Sequence, residues 1–518
     1  MWIENKMLRL RCLAVLLACF RVAEAAGVAD ADRIAKVENG IETLVVDDAQ
    51  HPVRLDIVRL MKAYNDPGLS IAVIDGYRVA WKRGYGTVGA NDSARVNDRT
   101  LFQAGSISKP VAATAMLRLV ESGKLSLDED VNASLKSWKV PDNEFTKNEK
   151  ATLRRLVSHT AGTTVHGFPG YDVDARRPTI AQILDGSPPA NTAPVVVNFL
   201  PGSKARYSGG GVTIEQLVLT DVTGETFPAL LSKSVLDPID MHDSTFEQPL
   251  PRNLAARTAH GTYQDGKSVH GSWHIYPEMA AAGLWTTPGD LAKFAIETAL
   301  AEEGKSSRLL STSMTRERLT AQPGSNGRIG LGFFVSPDSP GEFSHDGADE
   351  GFQASFVMNA KTGKGVVIMT NSDNGMLVAW DVIGSVATEY GWTKPQKRSL
   401  ARRLSLITQI KGADAALKAY ALAKADPDRA KQIDGSVLDM VGSIAWSSGK
   451  REDGLKIFER NAREYPDSAE SLAGLGEAYA ELHRTESARA AFNAALKINP
   501  ANHAAVEGLK KLGTVPEK

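Results

Sequence analysis

The chain turns apolar at Leu69-Ser70-Ile71-Ala72-Val73-Ile74, breaks at Asp75-Gly76 and resumes from Tyr77 to Lys82. Two apolar runs parted by Asp-Gly predict a strand, a tight turn and a second strand. Before them, the spacing from Arg33 to Tyr64 predicts a helix broken near His51-Pro52. After them, Val111, Ala112, Ala113, Ala115, Met116, Leu117, Leu119 and Val120 are apolar nearly all round, which predicts a buried helix stopped at Gly123. Pro110 is tolerated only in a first helical turn and so sets the helix start near Ser106. Shorter helical runs follow at Thr152 to Val157, Val212 to Thr220 and Leu291 to Leu300. The pattern then changes to strands at Ile329 to Val335, Gly341 to His345, Gly351 to Met358 and Gly365 to Thr370, with a helix from Leu377 to Tyr390. Strands at both ends with helices between them predict one sheet assembled from distant segments, an α/β layered fold of the α+β sandwich kind.

The last part of the chain differs in kind. Gly442, Phe458 and Pro466 recur as Gly476, Phe492 and Pro500, a shift of 34 each time. Leu472, Leu475, Gly476, Tyr479, Ala488, Phe492, Ala495 and Pro500 in the second copy strongly resemble a tetratricopeptide repeat, whose period is 34 residues. Ala413 to Ala425 reads as an earlier partial helix pair and His503 to Leu512 as a capping helix. The expected organisation is a leader over 1–25, a layered domain over 30–395 and an all-α repeat domain over 396–518. Stacked helix pairs form a concave surface for a protein or peptide partner, or serve only to pack on the first domain.

Charge narrows the partners. Sixty Lys and Arg against 61 Asp and Glu leave a net charge of −1, with no long basic run to neutralise phosphates, so nucleic acid is excluded as a partner. The N-terminus orders Lys6, Arg9 and Arg11, the apolar run 12–20 and Ala23-Glu24-Ala25 as a secretory signal does. That implies a secreted or periplasmic protein, and the run is too short to span a membrane. Both cysteines, Cys12 and Cys19, lie inside it, so cleavage after Ala25 leaves no thiol and no disulfide. Leu16-Leu17-Ala18-Cys19 loosely resembles a lipoprotein cleavage site, which would make Cys19 a lipid anchor. No metal spacing or cofactor motif is found; His260, His270 and His274 read as surface loop.

The chemistry concentrates in Gly105-Ser106-Ile107-Ser108-Lys109-Pro110. Residues at i and i+3 share a helix face, so Ser106 and Lys109 can touch. An alcohol is a weak nucleophile until a neighbour takes its proton, and a lysine does so only when uncharged. A cation in a first helical turn opposes the helix dipole by about 0.3 to 1 kcal/mol. That is less than the roughly 1.36 kcal/mol of one pKa unit, so burial must do most of the work. The spacing alone decides nothing, since Ser447-Ser448-Gly449-Lys450 repeats it at a predicted turn. His159, in Ser158-His159-Thr160-Ala161-Gly162, reads as a residue that fastens its loop. Tyr207-Ser208-Gly209-Gly210-Gly211 places a phenol ahead of backbone that approaches something closely. Phe343-Ser344-His345-Asp346-Gly347 can present a polar side chain at a strand edge, whereas Lys361-Thr362-Gly363 parts two apolar runs and reads as a solvated hairpin turn.

Gly105-Ser106-Ile107-Ser108-Lys109, Tyr207-Ser208-Gly209 and His345-Asp346-Gly347, in that order, resemble the three motifs of the serine beta-lactamase and penicillin-binding-protein superfamily. The nearest branch is the class C-type members, which include esterases and D-amino-acid peptidases. The likeness covers roughly residues 30 to 395 and implies a mixed domain with an antiparallel sheet and a helical part. It also implies that Ser106 is acylated, that Lys109 accepts its proton, and that Tyr207 protonates the leaving group and activates the deacylating water. His345 stands where the third motif carries lysine, and the N–H groups of Ser106 and Ala348, next to Gly347, would form the oxyanion hole. Two departures bear on substrate. Gly209 stands where the second motif usually has the asparagine that holds an acyl-amino group, and a neutral histidine anchors a carboxylate poorly. The expectation is therefore a serine hydrolase that cleaves small acyl esters faster than peptides or beta-lactams. The alternatives are a beta-lactamase, a D-amino-acid-specific peptidase acting on peptidoglycan-related peptides, or a catalytically silent cell-wall sensor.

Overall fold

The computed structural model describes residues 31–42, 54–392, 399–431 and 433–514; the leader expected over 1–25 lies outside them. Strands β1 (Gly68–Asp75) and β2 (Arg78–Gly86) form the hairpin expected around Asp75-Gly76. Helix α1 (Ser108–Glu121) follows a single 3₁₀ turn over Gly105–Ile107, so the α-helix proper starts two residues after Ser106. Helices α2 (Gly209–Thr223), α3 (Met279–Ala282) and α4 (Pro288–Glu302) come next. The remaining strands are β3 (Phe334–Val335), β4 (Glu342–Asp349), β5 (Phe352–Asn359) and β6 (Lys364–Thr370), and α5 (Gly375–Glu389) follows them.

The six strands make one antiparallel sheet in the order β2-β1-β6-β5-β4-β3. Leu69 pairs with Thr370, which joins the two ends of the domain as the sequence pattern implied. Strand β1 is a continuous apolar run because both of its faces are covered. Ala72 and Ile74 enter the core built around α1, while Leu69, Ile71 and Val73 pack with Val378, Val382 and Val386 of α5. Strand β6 divides likewise, with Val367 and Met369 on one side and Val366 and Ile368 on the other. The domain is thus a helix–sheet–helix sandwich, with α1 in the larger layer.

Two expectations need correction. Between Arg33 and Tyr64 the chain forms a helix over 31–39 and another over Ile57–Ala63, but Ile41–Glu42 pairs with Arg54–Leu55 as a small ladder, so the segment is not one broken helix. The apolar run before Val335 contributes only the two residues of β3, because Gly330 and Gly332 hold 329–332 in a turn. Lys361-Thr362-Gly363 is the turn between β5 and β6, with Lys361 paired to Glu302 and Glu303 at the surface.

Beyond the sheet the described residues form seven longer helices, α6 (Leu400–Lys411), α7 (Ala413–Ala425), α8 (Gly435–Ser447), α9 (Arg451–Glu464), α10 (Ala469–Glu481), α11 (Thr485–Ile498) and α12 (His503–Thr514), with a single helical turn at Pro427–Ala430. The 34-residue shift has a packing cause. A Cβ on Gly442 would stand 2.8 Å from the ring of Phe458, and one on Gly476 would stand 2.6 Å from Phe492, so each glycine admits the aromatic of its partner helix. The repeats dock on the sheet domain through apolar and polar contacts. Leu406 belongs to the core of α5, Ile444 packs against it, and Arg402 binds the buried carboxylate of Asp381 at 2.5 Å. Asn65 Nδ2 donates to Ser448 O at 3.1 Å across the same junction. Ser447 and Lys450 do not pair: Ser447 Oγ donates to Ser443 O and Lys450 Nζ to Gln409 O. Among the described residues no helix is long and apolar enough to cross a membrane.

Candidate active site

Ser106 sits half-buried in the 3₁₀ turn, which is held from several directions. Ala104 N donates to Leu284 O, Ser108 Oγ donates to Gly105 O, and Leu284 N donates to Ser108 Oγ at 2.9 Å. Ser108 therefore stitches the turn to the segment after α3. One helical turn below Ser106, Lys109 is 3% exposed, and its Nζ lies 2.7 Å from Ser106 Oγ and 2.7 Å from Ala281 O. A carbonyl only accepts, so one N–H of the amine is committed to Ala281. The same Nζ is thereby held within hydrogen-bond reach of the serine hydroxyl.

The Ala281 carbonyl is itself placed by a buried side chain. Gln216 on α2 donates from Nε2 to Pro277 O and accepts from Ala280 N at 2.8 Å, clamping both sides of the residues that open α3. Glu215, beside it, is fully buried with neither carboxylate oxygen partnered, and burial pushes its pKa up to about 8 against the opposing charges of Arg318 and Lys109. Glu278, just before α3, is pushed up to about 7, again by burial. The sequence pattern shows neither Glu215 nor Gln216, because polar residues inside a helical run ordinarily read as its solvated face.

Tyr207 comes before the N-cap of α2, where Ser208 Oγ accepts from Gly211 N. Its ring stands 5.1 Å from Lys109 Nζ, centroid to nitrogen. His159 at 4.3 Å, His166 at 4.9 Å, and Phe334 and His345 at 6.3 and 6.4 Å surround it. His159 fastens its loop as expected: its Nδ1 accepts from Ser208 N at 3.2 Å, so the proton of the neutral ring is on Nε2. Burial and the neighbouring Lys109 hold its pKa well below the ordinary value.

Strand β4 closes the other side. His345 is 2% exposed and its Nδ1 lies 2.6 Å from Asp346 O, which makes Nδ1 the donor and leaves Nε2 as an acceptor. Burial, followed by the charge of Lys109, lowers its pKa to about 3, so the ring is neutral at any ordinary pH. Gly347 and Gly105 interlock. A Cβ on Gly347 would lie 1.9 Å from Ala104 O and 3.1 Å from Ser106 N, and one on Gly105 would lie 2.5 Å from Ala348 N. The backbone N–H groups of Ser106 and Ala348 are thereby brought to the same small region. Gly209 donates to His166 O, and a Cβ there would meet the Phe168 ring at 3.1 Å. The loop through His166 and Phe168 occupies the space that a longer side chain at 209 would need.

All three motifs thus converge on one site, and a family model agrees with the geometry: the beta-lactamase model matches residues 55–387. The chain belongs to the beta-lactamase family. A tetratricopeptide-repeat model matches residues 445–512. Among relatives in this family, protein flp of Staphylococcus aureus (strain N315) is 23% identical over 342 residues, which are 64% of this chain and 64% of that protein. The unguisins hydrolase ungD of Aspergillus violaceofuscus (strain CBS 115571) is 25% identical over 367 residues, covering 61% of this chain and 60% of its own length. The matches therefore span less than two thirds of these relatives. In fold, the chain is similar to the octameric penicillin-binding protein homologue from Pyrococcus abyssi, with a TM-score of 0.54, 21% identity and coverage of 68% of this chain and 80% of that one. It is also similar to the beta-lactamase/D-alanine carboxypeptidase from Yersinia pestis, with a TM-score of 0.50, 21% identity and coverage of 64% and 97%.

Sequence reasoning singled out Ser106, Lys109, Tyr207, Gly209, His345, Gly347 and Ala348, and the fold brings them together. It missed His166, Phe168 and Phe334. His166 and Phe168 lie in a loop without periodicity, and Phe334 lies in a predicted strand whose pattern does not say that it faces Tyr207.

Proposed function

We propose that this protein is a serine hydrolase that acts through an acyl-enzyme at Ser106 and favours small uncharged esters. The observation that carries the reading is the 2.7 Å approach of Lys109 Nζ to Ser106 Oγ in a buried setting. As Ser106 Oγ attacks the substrate carbonyl carbon, its proton passes to Lys109, and the carbonyl oxygen gains charge against the Ser106 and Ala348 N–H groups. Preorganised donors of that kind are worth about 10²–10³ in rate each. Collapse of the tetrahedral species breaks the bond to the leaving alcohol, which takes its proton from Tyr207, recharged in turn from Lys109. Water then attacks the ester on Ser106, giving a proton to Tyr207 as the phenol passes its own to Lys109, and collapse breaks the bond to Ser106 Oγ, which takes that proton back from Lys109 as the acid leaves.

The ester preference rests on two observations. His345 offers a neutral acceptor where a carboxylate-bearing substrate needs a cation, and Phe168 stands where an amide-holding side chain at 209 would reach. The naming of one relative as a hydrolase supports hydrolysis as the reaction. The reading includes export, on the basic, apolar and small-residue order of the first 25 residues, and a partner-binding role for the repeats. Comparison of kcat/KM for p-nitrophenyl butyrate and a chromogenic cephalosporin tests the substrate class. At least a tenfold preference for the ester is expected, and a preference for the cephalosporin would make the protein a beta-lactamase instead.

A further inference from the structure

Tyr207 is enclosed on its inner sides by Lys109 and by the buried rings of His159 and His345. Its outer sides meet two other rings. His166, which is exposed, stands 4.9 Å away, and Phe334, half-buried, lies 6.3 Å away and within 11° of parallel. Phe168, also half-buried, stands beside Gly209. Among the described residues neither Phe168 nor Phe334 belongs to a hydrophobic core of the sheet domain, although Val335, the next residue along, packs on one. Phenylalanines that fill no core and flank a reaction site are apolar surface available to a substrate.

The backbone that carries His166 and Phe168 is held there at a cost. Val165 has φ +62°, in the left-handed region that a β-branched side chain avoids. Three hydrogen bonds from the residues after Tyr207 keep it in place: Thr164 O accepts from Ser208 Oγ at 2.6 Å, Val165 O from Gly210 N at 3.0 Å and His166 O from Gly209 N at 2.9 Å. Strain that persists because its surroundings fix it clusters at ligand clamps. The same bonds register the His166–Phe168 loop to Tyr207, so the rings keep their place relative to the phenol.

In the hydrolytic reading, on which this inference rests, the bond between the carbonyl carbon and the alcohol oxygen breaks and that oxygen takes the Tyr207 proton. The group borne by the oxygen therefore leaves past the outer sides of Tyr207, where these rings stand. We propose that His166, Phe168 and Phe334 form the leaving-group subsite and select esters of aromatic alcohols. Rings favour an aromatic neighbour over an aliphatic one of equal size, because the face and the edge of a ring carry opposite partial charge.

The test compares benzyl, cyclohexylmethyl and ethyl butyrates on the full chain. All three give the same butyryl-enzyme, so differences in kcat/KM report acylation alone. Benzyl butyrate should exceed cyclohexylmethyl butyrate by about fivefold and ethyl butyrate by about tenfold or more. Phe334→Leu, which keeps apolar bulk and removes the ring, should bring the benzyl-to-cyclohexylmethyl ratio below about twofold, while Phe334→Tyr keeps it. The ratio of ethyl phenylacetate to ethyl butyrate, which places a ring on the acyl side, should be the same in Phe334→Leu as in the parent chain. Circular dichroism of each variant separates lost selectivity from lost folding. Equal rates for the benzyl and cyclohexylmethyl esters, a ratio untouched by Phe334→Leu, or an effect of that variant on the phenylacetate ratio instead would each overturn the inference while hydrolysis at Ser106 stands. Hydrolysis that survives Ser106→Ala would overturn both.

Discussion

Gly347 runs so close beneath Ala104 that a Cβ on it would lie 1.9 Å from the Ala104 carbonyl oxygen. Both groups are main chain, so neither can swing aside as a side chain would, and Gly347→Ala must part β4 from the Ser106 turn. Misplacement of reacting groups by about 1 Å costs roughly a hundredfold in rate. Gly347→Ala should therefore lower kcat on p-nitrophenyl butyrate by about that factor while the thermal transition stays cooperative. Full activity would mean that the spacing between Ala348 N and Ser106 N does not matter to turnover.

Buried acids set the pH dependence of stability. Glu215 and Glu278 have ordinary values near 4.5 when unfolded and about 8 and 7 when folded. Between those limits the native chain holds protons that the unfolded chain has released, so stability falls as pH rises. His159 and His345, both lowered from 6.5, act with the opposite sign but only below 6.5. The window from pH 6.5 to 8 thus belongs to the acids. Tm should decline across it, and Glu215→Gln should flatten the decline and raise Tm at pH 8. A Tm that rises between pH 6.5 and 8 would contradict the assignment.

The junction between the sheet domain and the repeats is built to hold. Arg402 and Asp381 are 16% and 5% exposed, and breaking a buried pair by removing one partner costs about 3–5 kcal/mol. Arg402→Ala should shift the denaturant midpoint of the whole chain downward in a single transition. If the repeats instead melt separately with the sheet domain unmoved, they are an independent module and not part of its stability.

How much of this was legible in the sequence depends on what each element packs against. The hairpin at Asp75-Gly76, the helix after Ser106 and the 34-residue period were legible because short-range patterns dictate them. β4 was read only as far as His345, although it continues to Asp349, because Asp346 and Asp349 interrupt the apolar pattern along a strand that lines the site. The ladder of Ile41–Glu42 with Arg54–Leu55 was not legible, since its pairing is fixed by tertiary contacts and not by local spacing. Ser106, Lys109, Tyr207 and His345 were found because they sit beside glycines or a proline that mark special backbone. Gln216 and Glu215 sit inside a regular helix with no such marker, and their burial follows only from how α2 lies against α3.

The central claim is that Ser106 becomes acylated with Lys109 as its proton acceptor. The most direct measurement is intact-protein mass spectrometry, with peptide mapping, after brief exposure to p-nitrophenyl butyrate or a fluorophosphonate. A single adduct on the peptide containing Ser106, absent from Ser106→Ala and strongly reduced in Lys109→Met, is the expected result. An adduct on another residue, or none on a folded protein that still hydrolyses the ester, would contradict it.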